Sequence, residues 1–192
     1  MSESAPESTP TAVGQDKTAV RVGGPKVGGY AFRAPIGTKR PTDATSPLDK
    51  GYVDLGYITD DGLSLKTDNG TDKIKDWNMD TIAVIQKQNE ASLEVSFAQV
   101  SPEVCKALFG DAAVKTKGNK VTSLSYTGEI LAHSQFVFLI HDGNGDGLIE
   151  IGDGQVTSVE DMAWAKDSIV SFKATIELFK DSAGNFFTWY LS

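Results

Sequence analysis

Two stretches of this chain alternate strictly between apolar and polar side chains. That period of two restricts them to half-buried β-strands, since a helix would scatter the same residues around its circumference. Between Ser168 and Lys180, Val170, Phe172, Ala174, Ile176 and Leu178 share one face, with Ser171, Lys173, Thr175 and Glu177 on the other. Between Ser92 and Phe97, Leu93, Val95 and Phe97 oppose Ser92, Glu94 and Ser96. The second stretch lies in an ordered passage from Gly56 to Gly110. Asp61-Gly62 and Asn69-Gly70 are turn dipeptides there, separating short strands. Ser101-Pro102-Glu103 then opens a helix, with serine as N-cap, proline at the first helical position and an acid in the first turn. Gly110 closes it.

The same pattern places further strands at about Val27–Pro35, Tyr52–Ile58, Leu63–Thr67, Asp72–Trp77, Thr81–Gln88, Ala91–Val100, Val121–Tyr126, Gln135–His141 and Phe186–Leu191. Phe136 to Ile140 is apolar on both faces and reads as a buried strand. Asp111 to Lys120 reads as a polar, hairpin-like patch, and residues 142–167 carry no strand in this reading. Many short strands with one short helix, Pro102–Phe109, make the chain mainly β. The expectation is two packed antiparallel sheets, sandwich- or barrel-like, with that helix on the flank.

Residues 1–26 are rich in Ser, Thr, Pro, Glu and Gly and nearly lack large apolar side chains. Such a segment cannot bury enough surface to order itself, so it reads as a flexible N-terminal arm before one β-domain at 27–192. The first residues have neither a basic nor an apolar signal region, which predicts a cytoplasmic site of synthesis. One cysteine, Cys105, rules out an intrachain disulfide and reads as a small buried residue. No apolar run approaches the ~20 residues of a membrane helix.

The net charge of -8 is uneven. Seven basic and six acidic groups leave residues 1–59 at +1, so residues 60–192 carry -9. An acidic body argues against gripping nucleic acid, because phosphate contacts need clustered Lys or Arg. It does not argue against nucleic acid as a passing neighbour that is repelled rather than held, and it equally suits a charge that simply keeps the protein in solution; composition does not separate the two.

One local motif has the spacing of a calcium loop. Counted from Asp142, oxygen-bearing side chains fall at positions 1, 3, 5, 9 and 12, with Gly147 at 6 and Ile149 at 8. Asp142, Asn144, Asp146 and Asp153 are the candidate side-chain ligands for Ca2+, with Leu148 offering its carbonyl. Asp153 stands where a bidentate Glu is usual. The loop is similar to that of dockerin modules, but those carry two loops with helical flanks, and here a strand enters a single one. A Gly/Asp/Asn-rich connection between two strands is the other reading. No catalytic set accompanies His133 and His141, and no phosphate-binding, zinc-protease or nucleophile motif is present, so the chain does not read as an enzyme. Trp77, Trp164 and Trp189 read as core or interface residues.

The segments APIGTKRPTD, LGYITDDGLSL, DKIKDWNMD, the strand and helix from Glu90 to Gly110, and DSIVSFKATIELFKDSAGNFFTWYL together cover roughly 31–191. In their order and wording they resemble the major tail tube proteins of long-tailed bacteriophages, leaning to the non-contractile kind. The resemblance implies a structural subunit of the virion tail, assembled in the host cytoplasm into stacked hexameric rings around the DNA path. It implies tape measure, tail terminator and distal tail proteins as partners, DNA that passes without being specifically bound, and no membrane or cofactor. On that reading Glu90, Glu94, Lys173 and Glu177 are candidates to face the lumen, and residues 66–72 with the arm 1–26 are candidate ring-to-ring contacts. The competing reading is a calcium-dependent β-sandwich binding or adhesion module built on the Asp142–Asp153 loop.

Overall fold

The computed structural model describes residues 24–25, 30–86, 88–142, 145–160, 162, 166 and 169–192, with backbone alone at Pro25 and Asp142. The expected arm therefore lies outside the described residues, apart from its last strand-forming pair, as do Asn144 and Trp164. The strands are β1 (Gly24–Pro25), β2 (Ala31–Pro35), β3 (Val53–Asp54), β4 (Ile58–Asp68), β5 (Thr71–Lys75), β6 (Thr81–Gln86) and β7 (Glu90–Phe97). Helix α1 (Pro102–Phe109) and a 3-10 turn (Asp111–Ala113) follow. Then come β8 (Val114–Lys117), β9 (Lys120–Leu124), β10 (Ser134–Asp142), β11 (Gly145–Val159), β12 (Phe172–Leu178) and β13 (Thr188–Leu191).

Nine of these strands form one continuous antiparallel sheet, in the order β3-β2-β10-β11-β12-β7-β4, with β1 beside β10 and β13 beside β11. β11 divides it in two. Its first half pairs with β10 and β13, and its second half, from Gly154 onward, pairs with β12. The outer sheet is thus β3-β2-β10-β11-β13, and the inner sheet is β11-β12-β7-β4. Phe136, Phe138 and Ile151 of the outer sheet bury themselves against Leu93, Val95, Ala174 and Ile176 of the inner one. This is the two-sheet architecture the alternation predicts.

The largest departure from the sequence reading is β11. The stretch Gly145–Val159 was expected as loop, yet it is a fifteen-residue strand at the centre of the fold. Two of its glycines, Gly152 and Gly154, serve close approach rather than turning. A Cβ on Gly154 would lie 3.1 Å from both Ile176 and Phe136 side chains, and one on Gly152 would lie 2.8 Å from the Arg40 guanidinium carbon. A second departure is at Asp61-Gly62. Gly62 takes φ of 69°, but β4 runs through it with a register shift between Ile58 and Leu63, so the dipeptide makes a bulge rather than a turn. The loop expected at 66–72 shrinks to Asn69-Gly70.

Helix α1 forms as its caps predict. Ser101 Oγ accepts from Val104 N–H at 3.3 Å, and Val104, Cys105, Leu108 and Phe109 face the core. Phe109 meets Phe172 edge to face with ring centres 5.7 Å apart. The connection from Ile36 to Tyr52 straps the outside of the outer sheet. Ala44 and Tyr52 pack there against Ala34, Val137 and Leu148 in a second, smaller core.

Candidate functional site: an open polar sheet face

The two sheets differ on the sides turned away from the core. The strap covers the outer sheet. It is pinned by Arg40, which donates through Nε and Nη2 to the two carboxylate oxygens of Glu150 at 2.6 and 2.7 Å. The third nitrogen, Nη1, reaches Asp181 at 2.6 Å. Glu150 is 0 % exposed and Asp181 is 6 % exposed, so one guanidinium serves two buried carboxylates. The paired acids raise Arg40 above its ordinary value, the Glu150 hydrogen bond contributing most. Burial works to raise Asp181, but the backbone N–H of Asn185, the guanidinium and the backbone N–H of Ala183 outweigh it and hold the carboxyl below the usual range. Beside them Tyr52 donates to Gln135 Oε1 at 3.1 Å, and its hydroxyl is pushed up to about 12 by burial, then by the charge of Glu150.

Among the described residues the inner sheet has no such cover. Register fixes what its open face carries. Lys66 stands opposite Ser92, and Asp68 opposite Glu90. Glu94 lies between Ser64 and Thr175, and Ser92 between Lys66 and Glu177. Gln155 opposes Glu177, and Ser158 opposes Thr175. Directly opposed residues share a face. The candidates Glu90, Glu94, Lys173 and Glu177 are therefore brought together on one polar surface of four strands. Lys66 pairs with Glu94, and Lys173 Nζ lies 3.6 Å from Glu94 and 2.9 Å from Glu160. The Lys66 hydrogen bond holds Glu94 below its ordinary value, and the Glu160 hydrogen bond holds Lys173 above its own. Five acids (Asp68, Glu90, Glu94, Glu160 and Glu177) face two lysines (Lys66 and Lys173), which leaves the surface at -3.

Both lateral edges of this inner sheet are open among the described residues. β4 is the last strand in the order, and β11 from Gln155 to Val159 pairs on one side only, with β12. Beside that half of β11 lies a cavity of about 300 Å³, bordered by Leu108, Tyr126, Ile130 and Leu131.

The calcium-loop candidates are not gathered. β10 and β11 form a tight hairpin in which Asp142 opposes Gly145, so the twelve-residue span is mostly strand rather than loop. Asp146 and Asp153 are seven residues apart along β11, roughly 23 Å at strand rise. Each has its own histidine: His141 Nδ1 lies 2.6 Å from Asp146, and His133 Nδ1 lies 2.6 Å from Asp153. Leu148 and Glu150 sit in the strand as buried residues. The position-12 aspartate thus belongs to a different neighbourhood from position 5, and Asp142 and Asn144 have no described side chains to add. Among the described residues no three His, Cys, Asp or Glu side chains stand close enough to hold a metal.

Sequence reasoning placed the two strands of the β5–β6 hairpin but not its exposure as a separate two-stranded sheet. Trp77 at its tip is 99 % exposed, and Met79, Ile82, Val84 and Ile85 are also exposed. Trp77 is therefore no core residue of its own chain, and Trp189 is half exposed. No helix among the described residues is long and apolar enough to cross a membrane.

A protein-family model described as phage tail tube protein matches residues 13–192. Two solved structures are similar at 12 % identity each. One is the tube-terminating cap of the anti-feeding prophage, at a TM-score of 0.43, covering 95 % of this chain and 100 % of that one. The other is a chain of the virion of a native gene transfer agent particle, at a TM-score of 0.39, covering 76 % of this chain and 92 % of that one. No curated protein matches.

Proposed function

The chain belongs to the phage tail tube protein family, and on that premise we propose that its copies close into hexameric rings that stack into the conduit for DNA. It is a structural protein of the virion tail and assembles with other tail components. The observation that carries the finer reading is the inner sheet: a wet, net-acidic face bounded by two open strand edges.

An open edge is an unpaired row of N–H and C=O groups. β4 of one copy set against the second half of β11 in the next would satisfy both rows and continue one sheet from copy to copy. The contact is head-to-tail, so it closes when the rotation per copy divides a full turn. Four strands at about 4.8 Å span ~19 Å, and six copies would make a wall ~115 Å around, roughly 37 Å across between backbones before strand tilt widens it. A B-form duplex fits inside such a wall. The core then lies outside the ring wall, and the face carrying Glu90, Glu94, Lys173 and Glu177 lines the lumen. A surface at -3 per copy repels phosphates, so DNA slides rather than sticks. The arm 1–26 and residues 66–72 remain assigned to contacts between rings, and the tape measure, terminator and distal tail proteins to the lumen and the two ends.

Negative-stain microscopy of the concentrated, purified chain tests the reading. Rings or tubes with a central hole are expected. A protein that remains single at all concentrations and salt conditions would overturn it.

A further inference from the structure

We propose that residues 17–23 fold back into the open end of their own sandwich and complete the main core, with Val20 and Val22 as the entering side chains. The inference concerns a single copy and stands whether or not copies assemble. It narrows the arm's part in contacts between rings to residues 1–16.

At one end of the sandwich the sheets stand apart around a cavity of about 560 Å³. Ile58, Leu63, Leu65 and Leu93 wall it from the inner sheet, and Ile140 and Ile149 from the outer one. Such a space admits water, but its walls offer few polar partners. Apolar side chains entering it would remove both sets of walls from water.

The position of β1 selects the occupant. Gly24 itself borders the cavity, and its pairing opposite His141 brings the preceding chain to the rim. Continued register would set residue 23 opposite Asp142, the last residue of β10, so the chain before it runs out of partners in the outer sheet. Packed sheets lie about 10 Å apart, and an extended chain advances about 3.3 Å per residue. Three or four residues therefore cross from one sheet to the other, which puts Val22 and Val20 within reach of the gap.

Charge agrees. Residues 17–23 carry Lys17 and Arg21 and no acid. Asp60 borders the cavity, and Asp61, held by the Thr59 hydroxyl at 3.2 Å, follows it. Tyr30 on the cavity wall adds a polar anchor. Its hydroxyl accepts from Ile58 N–H at 2.8 Å, so its own proton can go to a carbonyl of the entering chain.

A thiol on the cavity wall tests the docking. Full-length Leu63→Cys, kept dilute and monomeric, should react slowly with a maleimide. Adding Val20→Ser and Val22→Ser should speed labelling at least about tenfold, since two valines would no longer be worth burying. Cys105 is 0 % exposed and stays out of the reaction. Equal labelling rates would overturn the docking. Protection that appears only as concentration rises would place the segment in another copy and overturn it too. A naphthalene sulfonate dye on chains without the cysteine gives a second readout should Leu63→Cys not fold. The Val20→Ser, Val22→Ser chain should bind it and brighten it, and the wild type should not; equal brightening would overturn the docking. A chain that forms no rings yet shows the protection would overturn the tube reading and leave this one standing.

Discussion

Arg40 holds the strap to the sandwich through two carboxylates that have little other access to water. Its replacement by methionine leaves Glu150 buried and unpaired, which costs about 3–5 kcal/mol. For a chain of this length that lowers the melting temperature by on the order of 10 °C, measurable by calorimetry. Adding Glu150→Leu should recover much of the loss, because an apolar pair of similar volume tolerates burial better than a lone charge. Acid acts on the same cluster. The folded carboxyl of Asp181 is held below its unfolded value, so its contribution is present above pH ~4 and fades as pH falls through the folded value. Tyr52 works at the other end of the scale. Its hydroxyl titrates near 12 when folded and near 10 when unfolded, so stability declines as pH rises between the two. Following tyrosinate absorbance with pH should show a late phase from Tyr52, and Tyr52→Phe should remove that phase. None of this cluster was legible beforehand. Arg40 and Glu150 are 110 residues apart, and nothing local marks them as partners.

At the scale of elements, alternation was a reliable guide where one face is wet. β7 and β12 fall where the period of two put them, and the Ser-Pro-Glu signal placed α1 to the residue. β11 was invisible for the opposite reason. A central strand needs small residues where Arg40, Phe136 and Ile176 press against it, and Gly and Asp at those points imitate a loop. The same residues imitated calcium spacing, since an extended strand separates positions that a loop would gather. The β5–β6 hairpin was legible as strands but not as a protrusion, because exposure depends on what the rest of the fold does not cover. Replacing Thr71–Gln86 by a short Gly-rich turn should leave the melting temperature within about 3 °C of wild type, since the hairpin adds little to either core. Gly152→Ala should by contrast destabilise by about 1–3 kcal/mol, as its methyl displaces the Arg40 guanidinium.

For the molecule as a whole, the sign of the open face governs how it treats a polyanion. The wild-type chain, assembled, should leave duplex DNA unretarded in a mobility assay. Reversing Glu90 and Glu177 to lysine changes the face from -3 to +1 per copy. DNA should then bind with an affinity that falls steeply with salt. Retardation of DNA by the wild-type assembly, or none by the reversed one, would count against this face lining the path. Composition had already shown the acidic body, and the resemblance had named the family, but only register could gather the four candidate side chains on one surface.

Because β11 is shared, the two layers of the sandwich are not merely pressed together. In the proposed ring, pull applied to the inner sheet would run along the covalent backbone of a single strand into the outer layer. Side-chain packing carries only the remainder. If the proposed tube forms, such a tendon would let the layers shear slightly without parting, so that a flexing tail would keep the width of its bore.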